Sequence, residues 1–181
     1  MANRYWRGGA GTWNTSSTTN WSDTPGGTGG FSVPTAADNV FFDQAGTYTV
    51  TMTGALTCLD ITVSAGTVTF ATGTTPTLQV NGSMSLIAMT WTSTGAITFN
   101  STTTGRTITT GGTTINGAIT FDGIGGGWSL GSALTTGVTL TTTLTNGTIT
   151  LNGFNLTTGT FSSSNTNTRA IAFGATNIVL A

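Results

Sequence analysis

Lysine, glutamate and histidine are absent from this sequence. Its only formal charges are four arginines and five aspartates, for a net charge of −1. Each absence excludes something. Lys and Glu are good helix formers, so their loss argues against helical architecture. No basic stripe exists to neutralise phosphates, which sets nucleic-acid binding aside. No apolar run is long enough to span a bilayer as a helix, so no membrane partner is expected. Without His, Lys or Glu, general acid–base chemistry is reduced to Asp, Tyr and one Cys, so no enzyme is expected. The single Cys58 has no partner for an intrachain disulfide. The opening residues Met1 to Gly9 contain no apolar h-region, so no secretory signal is visible.

What is present is threonine, often at every second position, with Gly, Ser and Asn between. Thr is β-branched and suits a pleated surface. Gly and Asn supply tight turns. Regularly placed Val, Ile, Leu and Phe, with near-zero net charge, argue against a disordered Ser/Thr/Gly-rich chain. The composition predicts an all-β protein of many short strands.

The chain has two zones. Residues 1–45 are rich in aromatics, Gly and Asn, and read as an N-terminal capping or attachment segment. Tyr5, Trp6, Trp13, Trp21, Phe31, Phe41 and Phe42 are its candidate functional residues. Residues 46–181 break into short alternating runs. In Thr47 to Thr53, Tyr48, Val50 and Met52 point one way and the threonines the other. Leu59 with Ile61 and Val63 repeats this, as do Val68 with Phe70, Leu78 with Val80, and Ile97 with Phe99. Ile119 with Phe121, Val138 with Leu140, Ile149 with Leu151, and Ile171 with Phe173 continue it.

A degenerate motif, Gly-x-[Val/Ile]-Thr-[Phe/Leu], closes at Phe70, Phe99, Phe121 and Leu151, with a weaker copy ending at Phe173. The gaps are 29, 22, 30 and 22 residues. Such repeats mark solenoids, propellers or arrays. Two or three short strands per repeat fit a right-handed parallel β-helix better than four-stranded propeller blades. A β-sandwich is the alternative fold. Few two-residue hairpin turns support it, and Thr145-Asn146-Gly147-Thr148 reads as a turn in either. The coils are expected to vary in length, to be capped by the aromatic zone, and to continue or meet a partner beyond Asn177–Ala181.

The first zone also carries a resemblance. Arg4-Tyr5-Trp6-Arg7-Gly8-Gly9-Ala10-Gly11-Thr12-Trp13 is followed by Asn20-Trp21-Ser22, Gly26-Gly27 and Val33-Pro34-Thr35-Ala36-Ala37-Asp38-Asn39-Val40-Phe41-Phe42. This segment resembles the N-terminal part of tail-fibre-like and other virion surface proteins of bacteriophages. A similar pattern opens the β-solenoid passengers of bacterial autotransporter-type adhesins. The resemblance implies a fibre, spike or capsid-decorating role, a homotrimer, other virion structural proteins as partners and adhesion to a host-surface glycan. It supplies no catalytic residues. The absence of a visible export signal favours a virion protein assembled in the host cytoplasm.

Other chemistries find little support in the residues present. Asp38 and Asp43 are the only close carboxylate pair, the minimum for a polysaccharide-cleaving spike. Asp38 after Pro34 reads instead as a turn residue binding local amides. Asp38, Asn39 and Asp43 offer hard oxygens for calcium, at a spacing that matches no EF-hand loop. No cofactor is expected. Asp60 and Asp122 sit beside strands and read as turn residues. Cys58 lacks an activating imidazole and reads as a packing residue near Leu56 and Leu59. Trp6, Trp13 and Trp21 read as a hydrophobic lid rather than a sugar-stacking platform. Trp91 lies within the coils, and Trp128 follows a Gly125–Gly127 loop that returns it to the core or to a subunit contact. Thr67-x-Thr69, Thr107-x-Thr109, Thr139-x-Thr141 and Thr148-x-Thr150 resemble the ladders of ice-binding solenoids, against which the uneven gaps count. The Asn-x-Ser/Thr triplets at Asn81 and Asn155 follow from composition.

Overall fold

A computed structural model describes all 181 residues. It contains strands and turns and no helix. In chain order the first turn holds β1 (Asn3–Trp6), β2 (Gly11–Trp13) and the short β3 (Trp21–Ser22). Then come β4 (Asn39–Phe42), β5 (Thr47–Met52) and β6 (Ala55–Cys58), and next β7 (Ile61–Val63), β8 (Thr67–Thr72) and β9 (Thr77–Val80). β10 (Met84–Leu86), β11 (Thr90–Trp91) and β12 (Ala96–Phe99) form the following turn. After them run β13 (Arg106–Thr109), β14 (Thr114–Ile115), the long β15 (Ile119–Leu130), β16 (Leu134–Thr136) and the long β17 (Thr141–Thr150). β18 (Leu156–Thr158), β19 (Thr160–Ser162), β20 (Arg169–Ala172) and β21 (Ile178–Leu180) complete the chain.

Every strand except β3 pairs in parallel with the strand one turn away, which makes a β-solenoid with three faces. Face one runs β1, β4, β7, β10, β13, the end of β15, the end of β17 and β20. Face two runs β2, β5, β8 and β11, then resumes as β14, β16, β18 and β21. Face three runs β6, β9, β12, the start of β15, the start of β17 and β19. β15 and β17 each turn a corner without ending, so faces one and three join into one sheet.

The corner inside β15 is made by glycine. A Cβ on Gly123 or on Gly126 would collide with the Ser101 carbonyl of the coil before. Gly125 between them adopts φ +74°, a conformation that side chains disfavour.

The uneven gaps expected from the motif give way to a nearly regular spacing. Down face one, Val40, Ile61, Met84, Ile108 and Leu130 lie in register, advancing 21, 23, 24 and 22 residues. Trp128, Ile149 and Ile171 continue it at 21 and 22. The first turn is the exception, since Arg4 pairs with Val40, 36 residues on. The sequence gaps of 29 and 30 arise because the motif copies sit on different faces. Phe70 is on face two, Phe99 and Phe121 on face three, and Leu151 follows β17 on face one.

Inward side chains form continuous apolar columns. Leu56, Leu78, Ile97 and Ile119 stack on face three beside Cys58, Val80, Phe99, Phe121 and Leu144. Thirty-two buried residues make one hydrophobic core. Aromatic edges thread it: Phe42 meets Phe70 at 4.9 Å, and Phe70 meets Trp91 at 5.0 Å. Phe121 and Trp128 meet at 5.2 Å, so the residue expected to return from a glycine loop is a core residue inside β15.

Several expected strand residues lie outside the strands. Val138 and Leu140 belong to a turn closed by the Leu140 amide on the Gly137 carbonyl at 2.9 Å, and Val138 is 65% exposed. Leu59 is half-buried in the turn between β6 and β7. Phe173 follows β20 and is largely exposed.

The columns give a stability test. Phe70 touches aromatics above and below, so Phe70→Ala is expected to cost about 3–5 kcal/mol in denaturant unfolding. Thr49→Ala, on the outward side of the neighbouring strand, is expected to change stability by less than about 0.5 kcal/mol.

Candidate functional site: the aromatic first coil

Alternation divides the first-zone aromatics. Trp6, Trp13, Trp21 and Phe42 point inward and are at most 1% exposed. Trp6 meets Trp21 edge-on at 5.2 Å, Trp13 meets Trp21 at 5.5 Å, and Phe42 lies within 5.7–6.1 Å of all three. β3 runs antiparallel to β1 and brings Trp21 beside Trp6 at the end of the solenoid. The indole N–H of Trp6 donates to the Gly9 carbonyl at 2.8 Å. These four rings cover the first coil and have no free face for a sugar.

Tyr5 and Phe41 have the opposite parity. They lie in register on the outer side of face one, stacked at 4.8 Å and 17°. The Arg7 guanidinium sits 5.6 Å from the Tyr5 ring and pairs with Asp43 at 2.8 Å. Asn3 and Asn39 flank the rings, joined by a 3.1 Å amide–amide hydrogen bond. Phe31 is 41% exposed in the loop between β3 and β4. Of the seven aromatics, only Tyr5, Phe31 and Phe41 are presented outward.

The aspartates are held separately. Asp38 is buried. Its carboxylate accepts from the Ala2 amide at 2.9 Å, the Thr35 amide at 3.1 Å and the Thr35 hydroxyl at 2.7 Å. Burial alone would raise its pKa, but these hydrogen bonds and the charge of Arg4 outweigh it and hold the group below its ordinary value of 3.8. Asp43 is committed to Arg7. Asp60 accepts from the Ser83 amide at 2.7 Å, and Asp122 from the Asn146 side chain at 2.7 Å. Asp23 is exposed. The structure does not bring two carboxylates onto one partner.

Burial pushes the Tyr48 phenol up to about 12, with Asp43 adding to the shift. Cys58 is fully buried under Val80 in face three, and burial followed by the charge of Asp60 raises its thiol pKa well above the ordinary range. A thiol so protonated and enclosed is a poor nucleophile.

One feature escaped the sequence entirely. A slot of about 190 Å³ lies between β6 and the first coil, lined by Trp13, Asn14, Thr15, Val33, Pro34, Thr35, Ala55, Leu56 and Thr57. It occupies the place where face three has no strand in the first turn. Hydropathy pattern signals strands that exist and carries no mark of a rung left out.

No protein-family model, no curated protein and no solved structure matches this chain.

The Asp38 geometry sets a pH dependence. A carboxyl with a lowered folded pKa stabilises above its unfolded value, and that contribution is lost as pH falls through the folded one. The thermal midpoint is therefore expected to drop as pH is lowered below about 3.8. In Asp38→Asn the midpoint is expected to be lower at neutral pH and to fall less over the acid range.

Proposed function

We propose that this chain is a non-enzymatic structural element of a bacteriophage particle: a tail fibre, a spike or a capsid-decorating fibre. The carrying observation is a nearly uncharged, threonine-surfaced solenoid whose first coil closes one end with packed aromatics. A continuous core and continuous ladders make a stiff element. The resemblance of residues 4–43 to virion surface proteins supplies the biological setting. In this reading the first coil faces the particle, and Tyr5, Phe31 and Phe41 belong to the contact surface. The coils project outward, as a homotrimer, toward a host-surface glycan. The engagement of four of the five carboxylates in local contacts supports a role without catalysis. A bacterial autotransporter-like adhesin is the competing setting for the same architecture.

Antibodies against the chain are expected to label purified phage particles in immunogold images, and peptides covering it to appear in the particles' mass spectra. Particles that lack the chain overturn the proposal, and its presence on the bacterial surface would support the adhesin.

A second reading, ice binding, is favoured by the regular coil spacing. Thr47 with Thr67, and Thr49 with Thr69 and Thr90, lie in register on the outer side of face two. Coils ~4.8 Å apart and alternate residues roughly 6.6 Å apart give a planar hydroxyl lattice. The array is small, since Ala71 interrupts the next file and the other Thr-x-Thr pairs lie on different faces or at a corner. If the array serves this role, the protein shows thermal hysteresis that Thr49→Tyr abolishes. A wild-type solution without hysteresis ends this reading.

A further inference from the structure

In a parallel ladder the N–H and C=O of one residue point to the same side, and successive residues alternate. Along β6, even-numbered residues face β9. The Thr77 amide donates to Gly54 and the Asn81 amide to Cys58, both at 3.0 Å. The odd-numbered residues 53, 55, 57 and 59 therefore face the first coil. At the two ends of this row the first coil answers. Thr53 donates to the Trp13 carbonyl at 2.9 Å, and Leu59 donates to the Asp38 carbonyl at 2.8 Å. Between them, Ala55 and Thr57 have no strand to pair with, because β6 is the last strand of face three at this end. The first turn supplies a rung to face one and to face two, and none to face three.

The slot described above lies over these two residues. Its floor and walls are Leu56, Trp13, Val33 and Pro34, with Asn14, Thr15, Thr35 and Thr57 at the polar positions. No charged residue lines it.

From this arrangement we propose that the slot is a strand-acceptor site, which binds an extended, uncharged segment of another polypeptide as the missing rung of face three. The unpaired backbone groups of Ala55 and Thr57 present donors and acceptors at ladder spacing, the recognition pattern for an added strand. The apolar wall takes its alternate side chains. A charged side chain would be buried there with no partner, which sets the specificity for neutral sequence. The site lies within the fold and depends on no particular biological setting, so it stands whether or not the chain belongs to a virion.

The probe is a blocked synthetic octapeptide with the sequence of residues 94–101, which contains the β12 rung of the same face. Amide hydrogen exchange at Ala55 and Thr57 is the readout. In the free protein both amides are expected to exchange rapidly, while Leu56 and Cys58 are protected by β9. Saturating peptide is expected to slow Ala55 and Thr57 by at least about tenfold. Replacing the Ile in the peptide with Asp is expected to abolish the effect. Thr57→Pro removes an amide that β9 does not use, so it is expected to leave the Leu56 and Cys58 protection intact and to prevent peptide protection of Ala55. Should Thr57→Pro fail to fold, Val33→Asp places a carboxylate in the wall and is expected to weaken binding at least about tenfold. Protection of Ala55 and Thr57 in the free protein would mean that the chain closes its own slot, and would overturn the proposal. So would an absence of slowing at millimolar peptide, or equal binding by the Asp-substituted peptide.

Discussion

Everything in this molecule depends on in-register parallel stacking. One coil cannot bury its own apolar side chains, because its rungs have nothing above or below them. Stacked at an advance of 21–24 residues, the same side chains become columns closed on three sides. The constraint reaches the corners too. A corner must pass within contact distance of the previous corner, so Gly123 and Gly126 lie where a side chain would strike the Ser101 carbonyl. One cluster of polar groups inside the stack is answered from within it. Thr136, Thr142 and Thr158 are fully buried, and the first two hydroxyls donate to the third at 3.0 and 3.1 Å. Thr158 in turn donates to the Leu140 carbonyl at 3.1 Å, so the trio is satisfied without water.

Much of this architecture was legible in the residues. Alternation in Thr47–Met52 assigned Tyr48, Val50 and Met52 to the core, where they lie. The absence of good helix formers and the repeated short runs pointed to a solenoid, which is the fold observed. The coil length was not legible, because one motif serves all three faces. Distances between motif copies then mix whole turns with jumps to the next face. Val138 was misread for a related reason. Alternation with Leu140 looks like a strand, while Gly137 bends the backbone into a corner there. The aromatic zone shows the same limit more finely. Trp6 and Phe42 share a parity and enter the core, while Tyr5 and Phe41 take the other and stack outside. Composition gathers these residues, but only strand register separates lid from surface. The slot beside β6 lay beyond sequence because it is defined by a pairing that does not occur.

The missing charges follow from the same constraint. In-register stacking sets each outward residue against the equivalent residue of the next coil, ~4.8 Å away. A column of Lys or of Glu on such a face would be a ladder of like charges, destabilising at every step. Columns of opposite sign would require strict alternation from coil to coil, which a repeating sequence does not supply. A neutral β-branched residue with a hydroxyl avoids both problems: it favours the strand, stays hydrated and stacks on itself. Face three shows the outcome, where Thr98, Thr120 and Thr143 succeed one another. The single ion pair, Arg7 with Asp43, lies beside the irregular first turn, where the repeat has not yet begun. The scarcity of charge therefore follows from the stack, and the charges that do occur in its regular rungs face neutral partners: Arg106 pairs with Trp128, Asp122 with Asn146 and Arg169 with Gly147.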